Sequence, residues 1–266
     1  FSSELELKKW LETHECVICG SDQIWNNNIT GNGGAYFAVD CNVKKISYAA
    51  SLGTTQLNET QKSNIINYLP SFSSISVREP GSAEQLTKIL HREIQVVLDP
   101  VFLLDRDEWR KLSRPVSVDS NYLFLYFLQE NEKLLECAKK YAEENGLKIY
   151  EVHPTLATRH NGCKRLENVG PKEFIWLIEN ASCVCTNSFH ATAFSTIFRK
   201  KLIHIPNSKS PERTTSLLER VGIELKTDKE FPFYDIGLCD DTNLNFEIEK
   251  SKKFLDAVME SEQYGN

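Results

Sequence analysis

SCVCTNSFHATAFS, residues 182–195, carries the strongest indication of fold in this chain. A short apolar run leads into a small polar cluster, and apolar residues then recur at helical spacing, which predicts a strand, a tight turn and a helix. In a parallel α/β sheet such a junction lies at the carboxyl ends of the strands, where helix N-terminal amides favour negative charge. The stretch therefore predicts an α/β fold with a ligand position at the edge of its sheet.

The turn in this stretch contains three candidate functional residues. His190 falls in the first turn of the predicted helix, where an imidazole can reach bound substrate, although a structural role is an equal alternative. Ser188 or Asn187 is expected to be the N-cap of the helix, and capping is the alternative to a ligand contact for both residues.

The composition is that of a globular protein, with 41% hydrophobic residues and a formal net charge of −6 over 266 residues. A chain of this length can form one large domain or two medium ones. The acidic balance argues against a general nucleic-acid binder and leaves room for a local anion pocket. The sequence has neither an apolar run near the roughly 18 residues of a membrane span nor a signal-peptide pattern, so we expect a cytoplasmic protein.

The eight cysteines are expected to be mostly reduced core residues. Cys16 and Cys19 form a CxxC within a predicted strand, where residues three apart point to opposite faces, which disfavours a shared metal ion or a redox pair. Cys183 and Cys185 share a face, but no second ligand pair accompanies them. Because the histidines also lack metal-ligand spacing, we expect no metal site.

The first half of the chain alternates strand and helix signals. The predicted strands lie in CVICG, KKISYAASLG, SSISV and IQVVLDPVFLL. Arg78 lies at the carboxyl end of the third strand, where its planar guanidinium can grip a carboxylate or a phosphate. A salt bridge from Arg78 to Glu79 or to another neighbour is the structural alternative.

A change in composition near residue 117 predicts a boundary between domains 1–117 and 118–266. NYLFLYFL, EKLLECAKKYAEENG and LKIYEVHP then form a strand–helix–strand unit, which implies a parallel sheet with a right-handed crossover. Polar residues 155–168 are predicted to be a loop. The charged helix at the end of the chain is expected to pack back on the first domain.

Six segments in order resemble the polysaccharide pyruvyl transferase family: GSDQIWN, YAASLG, SVRE, LDPVFLL, VGPKEFIWLIENA and TNSFHATAFS. The resemblance runs from about residue 13 to residue 223. It implies two Rossmann-like domains facing a cleft, a GT-B-like arrangement, in which the N-terminal domain lacks its first strand. The N-terminal domain would be the acceptor side and the C-terminal domain the donor and phosphate side.

The resemblance also implies an activity. Members transfer a pyruvyl group from phosphoenolpyruvate to a sugar diol as a cyclic ketal, in the biosynthesis of cell-surface or exopolysaccharides. Phosphoenolpyruvate is then the donor substrate, no cofactor is needed, and the acceptor is a saccharide or lipid-linked saccharide near the inner face of the membrane. Whether the protein forms a homo-oligomer is left open.

Residues of the family motifs transfer to this chain one at a time. The arginine of SVRE is Arg78, which the resemblance makes a phosphoenolpyruvate ligand, and the histidine of TNSFH is His190, the candidate for catalysis. Better-studied branches have Arg-Leu before that histidine, where this chain has Ser188 and Phe189 as the corresponding phosphoenolpyruvate-binding positions. One phosphate-binding arginine is thus replaced.

Two basic residues are candidates to supply the missing charge. Arg213 comes from the helix that follows the focal stretch, and Lys209 falls in a loop where some members have a functional lysine.

The GSDQIWN loop supplies the acceptor-binding candidates. Asp22 and Gln23 can meet acceptor hydroxyls, although Asp22 is as suited to capping its own turn. Trp25 is either an apolar anchor or a stacking platform for a sugar. Two other functions remain as alternatives: a nucleotide-sugar-dependent GT-B glycosyltransferase and a non-catalytic saccharide-binding relative.

Overall fold

The structure is a computed structural model that describes residues 3–31, 33–38, 41–54, 56–155, 158–207, 211–226 and 230–260. The chain divides into two compact units, one made of residues 1–103 with 245–266 and the other of residues 104–244. In the described residues no helix is both long enough and apolar enough to cross a bilayer.

The first unit contains a four-stranded parallel sheet in the order β1-β2-β3-β4. Its strands are β1 (Cys16–Cys19), β2 (Lys44–Ala50), β3 (Ser74–Val77) and β4 (Gln95–Val96). Its helices are α1 (Glu4–Leu11), α2 (Asn27–Thr30), α3 (Glu59–Tyr68) and α4 (Pro80–Leu90). Six of the seven residues of β2 are buried, as expected for a central strand covered on both faces.

The second unit begins with α5 (Arg106–Leu112) and has a six-stranded sheet. Its strands are β5 (Tyr122–Tyr126), β6 (Lys148–Val152), β7 (Cys163–Arg165), β8 (Cys183–Thr186), β9 (Lys201–His204) and β10 (Phe233–Asp235). Its helices are α6 (Glu132–Asn145), α7 (Pro171–Asn180), α8 (Phe189–Ile197) and α9 (Glu212–Arg220).

The strand order of this sheet is β10-β9-β8-β5-β6-β7, with β10 alone antiparallel to its neighbour. The order is that of the Rossmann fold, in which the direction of winding reverses between the first and fourth strands of the unit. Here that reversal lies between β5 and β8, and ligands of such sheets bind at the carboxyl ends of these two strands. The stretch 182–195 therefore forms one side of the topological switch point.

The division between the units lies between residues 103 and 104, before the predicted boundary near residue 117. The difference arises because α5 packs against α8 and belongs to the second unit. The guanidinium Nε of Arg106 donates to the carbonyl of Ile197 at 3.0 Å, and the ring of Trp109 lies 5.0 Å from that of Phe194.

The final helix, α10 (Thr242–Glu260), has most of its length in the first unit. The Ser251 hydroxyl accepts a hydrogen bond from the Leu98 amide at 2.8 Å. The ammonium group of Lys44 donates to the Val258 carbonyl at 2.8 Å.

Two short strands were not predicted. β7 lies within residues 155–168, where a loop was expected, and β10 lies in the tail. Each has three residues and lies beside one other strand, at an edge of the sheet. The prediction of a loop over the residues of β7 was therefore wrong. Three residues are too few to show the alternation of apolar and polar side chains by which a strand is predicted.

Candidate functional site

Four segments of the first unit meet at the carboxyl edge of its sheet. Asp22 follows β1, Ser51 follows β2, Arg78 follows β3 and Asp99 follows β4. Arg78 joins three of these segments through ion pairs. This edge therefore collects the GSDQIWN, YAASLG, SVRE and LDPVFLL segments of the sequence.

Arg78 is 3% exposed and lies among three carboxylates. Its Nε donates to Glu79 at 2.9 Å, its Nη1 to Asp99 at 2.8 Å and its Nη2 to Asp22 at 3.0 Å. Burial opposes the charged guanidinium, but these carboxylates raise the pKa of Arg78 above its ordinary value. Arg78 therefore forms the salt bridges that were its structural alternative. Its contact with phosphoenolpyruvate stays a prediction, and that contact would require one of these ion pairs to break.

The loop after β1 is fixed against the end of β2. The Ser51 amide donates to the Asp22 carbonyl at 2.9 Å, and the Trp25 amide donates to the Ser51 carbonyl at 3.3 Å. A Cβ on Gly20 would come 2.0 Å from the Tyr48 carbonyl oxygen, so this close approach of β1 to β2 requires glycine. The backbone thus presents the Asp22 side chain, which is 49% exposed, at the sheet edge.

Gln23 lies beside Asp22 in this loop. Its side-chain oxygen accepts a hydrogen bond from the Asn26 amide group at 2.9 Å. The partly buried Gln23 side chain is therefore positioned by its own loop, and its contact with acceptor hydroxyls stays a prediction.

Trp25 is an anchor of the hydrophobic core. It is 1% exposed, stacks on Phe37 with ring centroids 5.7 Å apart, and meets Phe72 edge-on at 6.1 Å. Its indole Nε1 donates to the Tyr36 carbonyl at 3.3 Å. A ring buried in this way presents no face to a sugar, so the assignment of Trp25 as an acceptor-stacking platform is corrected to the anchor alternative.

At the switch point of the second unit, the Asn187 side chain ties the end of β8 to the segment after β5. Its Oδ1 accepts from the Leu128 amide at 2.8 Å and its Nδ2 donates to the Gln129 carbonyl at 2.7 Å. One strand residue earlier, the Thr186 hydroxyl donates to the Tyr126 carbonyl at 2.8 Å. Asn187 thus links the two segments that form the switch point.

Ser188 is the N-cap of α8, as one of the alternatives predicted. Its hydroxyl accepts from the Ala191 amide at 3.4 Å, and its own amide donates to the Thr186 hydroxyl at 3.0 Å. Since Ser188 is buried, a phosphate contact would have to come through the amides of this turn.

His190 lies in the first turn of α8 and is partly exposed. Its ring meets that of the buried Phe189 edge-on at 5.5 Å, and the Arg213 guanidinium lies 5.7 Å from the centre of the same Phe189 ring. A histidine and an arginine therefore both contact the Phe189 ring at the N-terminus of a helix, where partial positive charge collects.

The buried His204, at the end of β9, connects α8 and α9 to the sheet. Its Nδ1 lies 3.0 Å from the Thr186 carbonyl, and its Nε2 lies 2.7 Å from the Thr214 hydroxyl. An imidazole that donates from Nδ1 and accepts at Nε2 satisfies both partners. Burial lowers the pKa of His204 to about 4, so the ring is neutral near pH 7.

In the second unit the structure brings Arg213 to Phe189, between Ser188 and His190 in the sequence. In the first unit it brings Arg78 to Asp22, next to Gln23 in the sequence. Lys209 lies outside the described residues. Sequence analysis missed Asp99 and His204 as organising residues. The Asp-Pro turn could have pointed to Asp99, whereas nothing in the sequence sets His204 apart.

The cysteines are free thiols. Burial raises the pKa of Cys19 to about 12 and holds the pKa of Cys185 well above its ordinary value, as expected for reduced core residues. Cys16, Cys163 and Cys239 are only partly buried. Among the described residues, no group of three or more histidine, cysteine, aspartate or glutamate side chains is arranged to hold a metal ion.

The fold is shared with solved UDP-GlcNAc 2-epimerases. The enzyme from Methanocaldococcus jannaschii, in complex with UDP-GlcNAc and UDP, aligns over 96% of this chain and 79% of its own at 15% identity, with a TM-score of 0.56. The enzyme from Neisseria meningitidis bound to UDP-GlcNAc aligns over 97% of this chain and 80% of its own at 13% identity, with a TM-score of 0.55. At such identities the likeness shows the fold alone, an α/β protein of two Rossmann-like units, as predicted.

A comparison of the sequence with protein-family models identifies the family of the chain. The family model described as polysaccharide pyruvyl transferase matches residues 2–209. The chain belongs to the polysaccharide pyruvyl transferase family, which confirms the resemblance seen in its motifs and supports a transferase. No curated protein matches the chain.

Proposed function

We propose that this protein transfers a pyruvyl group from phosphoenolpyruvate to a pair of sugar hydroxyls as a cyclic ketal. The observation that carries the proposal is the position of His190, in the first turn of α8 at the switch point, in a chain of this family. The reaction would serve cell-surface or exopolysaccharide biosynthesis in the cytoplasm, near the inner face of the membrane, with a saccharide or lipid-linked saccharide as acceptor.

The charges at the two sheet edges support different substrates for the two units. Arg78 in the first unit is outnumbered by Glu79, Asp99 and Asp22, which leaves a formal excess of negative charge. Carboxylates accept hydrogen bonds from sugar hydroxyls and repel a phosphate. We therefore assign binding of the sugar acceptor to the first unit. In this assignment Arg78 positions the Asp22 side chain.

The second unit offers what an anionic donor needs. Arg213 lies beside the start of α8, and the first amides of a helix point along its axis, out of the N-terminus, toward a bound anion. Arg213 would supply the charge that Ser188 does not. His190 in the same turn would protonate the methylene carbon of phosphoenolpyruvate, after which a sugar oxygen attacks the neighbouring carbon.

The chemistry balances with two acceptor hydroxyls. The first oxygen bonds to C2 while C3 becomes a methyl group, and the second oxygen bonds to C2 as the carbon–oxygen bond to phosphate breaks. One hydroxyl proton replaces the proton that His190 gave to C3, and the other leaves with phosphate. Stabilisation of the leaving phosphate by Arg213 and the helix amides is an electrostatic effect in place before the reaction.

A thermal-shift titration with phosphoenolpyruvate tests the donor site, since a ligand that binds the folded state raises its stability by mass action. We expect a concentration-dependent shift for the wild type and a loss of that shift in Arg213→Met. His190→Asn should retain the shift and lose phosphate release. Arg110→Met, which alters an exposed ion pair of the same unit, is the matched control.

UDP provides the competing measurement, because the epimerases of the same fold are solved with UDP-GlcNAc. Stabilisation by UDP and none by phosphoenolpyruvate would replace the proposal with a nucleotide-sugar enzyme. Full phosphate release by His190→Asn would overturn the role assigned to His190.

A further inference from the structure

A second group of titratable side chains lies at the carboxyl edge of the second unit's sheet. It consists of Glu130, Glu151, His153 and His160, and we call it the Glu130 cluster. Glu151 is on β6, His153 directly follows that strand, and Glu130 lies shortly after β5. The function proposed above does not use any of the four residues.

Both carboxylate oxygens of Glu130 face imidazoles. His153 Nε2 lies 3.0 Å from Oε2, and His160 Nε2 lies 3.3 Å from Oε1. The Thr155 amide donates to His153 Nδ1 at 3.0 Å, which places the proton of a neutral ring on Nε2, facing Glu130. Glu130 is therefore held in one orientation by two rings.

His160 lies between two carboxylates. Its Nδ1 is 2.7 Å from Oε2 of Glu151, which is fully buried, while its Nε2 faces Glu130. A neutral imidazole carries one proton, so a carboxylate would oppose a bare nitrogen lone pair on one side unless a further proton is present. The geometry thus provides a place for a proton between Glu151 and Glu130.

The described side chains next to the cluster do not compete for that proton. Burial, followed by the charge of Glu151, raises the pKa of the Cys163 thiol to about 11, so Cys163 stays protonated. The Arg165 guanidinium donates to the carbonyls of His153 and Thr158. The nearby Arg159 pairs with Glu167 on the surface.

Exposure within the cluster increases toward Glu130. The Glu151 side chain is 0% exposed and the histidines are largely buried, whereas the Glu130 side chain is 49% exposed. Glu130 directly follows Gln129, whose carbonyl accepts from the Asn187 side chain. The exposed end of the cluster therefore lies at the switch point, on the same sheet edge as the turn that carries His190.

We propose that Glu130 is a second catalytic residue, the general base for an acceptor hydroxyl, with His153 and His160 as positioning residues. This inference rests on the proposed pyruvyl transfer. The hydroxyl O–H bond breaks, its electron pair forms the bond from oxygen to C2 of the donor, and the proton moves to the Glu130 carboxylate. That proton is shared through His160 with Glu151 until it returns through Glu130 and leaves with phosphate. The proton of the second hydroxyl replaces the one that His190 gave to C3.

The direct test compares wild type with Glu130→Gln, using phosphoenolpyruvate and a set of methyl glycosides as probes. We expect Glu130→Gln to keep its phosphoenolpyruvate thermal shift and its KM for phosphoenolpyruvate, while kcat for phosphate release falls about 100-fold or more. Glu167→Gln, a nearby exposed carboxylate, should match the wild type. Glu130→Gln turnover within about threefold of the wild type would overturn the role of Glu130.

The positioning residues need a readout that a purely structural role would not change. His160→Asn and Glu151→Gln should alter the pH profile of kcat, and nitrogen NMR of the histidine rings should show that Glu151→Gln changes the protonation of His160 without substrate. An unchanged His160 ring signal in Glu151→Gln would overturn the relay even in an inactive preparation. A wild type with neither a phosphoenolpyruvate shift nor turnover would overturn the proposed function itself.

Discussion

Replacement of His204 by asparagine should make the free energy of unfolding less dependent on pH between pH 6.5 and 4. The imidazole is fully buried and bonds to Thr186 and Thr214 through its two nitrogens. Asparagine can still donate to the Thr186 carbonyl from a position near that of Nδ1, but it cannot titrate. The variant therefore separates the charge of His204 from its hydrogen bond to the strand.

The magnitude follows from the depressed pKa. Burial lowers the pKa of His204 from 6.5 to about 4, which corresponds to about 3 kcal/mol. Because the folded value is the lower one, the unfolded chain binds a proton between pH 6.5 and 4 that the folded chain does not. The stability contributed by the neutral ring is thus fully present above pH 6.5 and is lost as the pH falls toward 4.

Urea unfolding at several pH values between 8 and 4, followed by circular dichroism and tryptophan fluorescence, measures this loss. The wild type should lose about 3 kcal/mol more than His204→Asn between pH 6.5 and 4. At pH 8 the variant itself should be less stable by about 0.5–1.5 kcal/mol, because the Thr214 hydroxyl loses its hydrogen bond to the imidazole and keeps the Pro211 carbonyl as an acceptor. Equal slopes for the two proteins over this pH range would refute a buried neutral His204.

Three further predictions concern the first unit. Arg78→Met leaves three carboxylates without their common partner and should cost about 3–5 kcal/mol in the free energy of unfolding. Arg110→Met, at an exposed ion pair, should change it little. Equal losses in urea titrations would contradict the buried network. Gly20→Ala should cost about 3 kcal/mol because its Cβ would overlap a backbone oxygen of β2, and Gly146→Ala, with open space around it, about 1 kcal/mol. A Gly20→Ala melting temperature equal to that of Gly146→Ala would exclude the close approach. Since burial raises the pKa of Cys19 to about 12, iodoacetamide at pH 8 should leave Cys19 unmodified in the folded protein and label it in urea, as read by peptide mass spectrometry; labelling at equal rates would show that this thiol is accessible.

The elements that carry the fold could be predicted because their signals are local. The apolar strands around Tyr122 and Cys183, the Pro171 helix start and the Ser188 cap each depend on residues within a few positions of one another. These signals were enough to indicate a parallel sheet with a site at the end of β8. β7 and β10 were missed because three residues at a sheet edge have no such periodicity.

The partners of the site residues could not be predicted, because they are far apart in the sequence. Arg78 meets Asp22 and Asp99 only after four strands have paired in register, and a single arginine after a strand suits a phosphate ligand equally well. Trp25 shows the same ambiguity, since burial alone separates an anchor from a stacking platform. The bonds of His160 to Glu130 and Glu151 likewise require β5 and β6 to be neighbours.

The charges of the two units indicate which unit binds phosphoenolpyruvate, whereas the sequence motifs do not. In the first unit, Arg78 is neutralised by Glu79, Asp99 and Asp22, and reassigning it to phosphoenolpyruvate would uncover buried carboxylates at a cost of several kcal/mol. In the second unit, the Arg213 guanidinium lies 5.7 Å from the centre of the Phe189 ring in the first turn of α8, so a positive charge and the first amides of a helix occur close together there. The donor site of this chain is therefore expected in the second unit, even though its TNSFH motif has no arginine of its own. Loss of the phosphoenolpyruvate shift in Asp22→Asn, with full retention in Arg213→Met, would reverse this assignment.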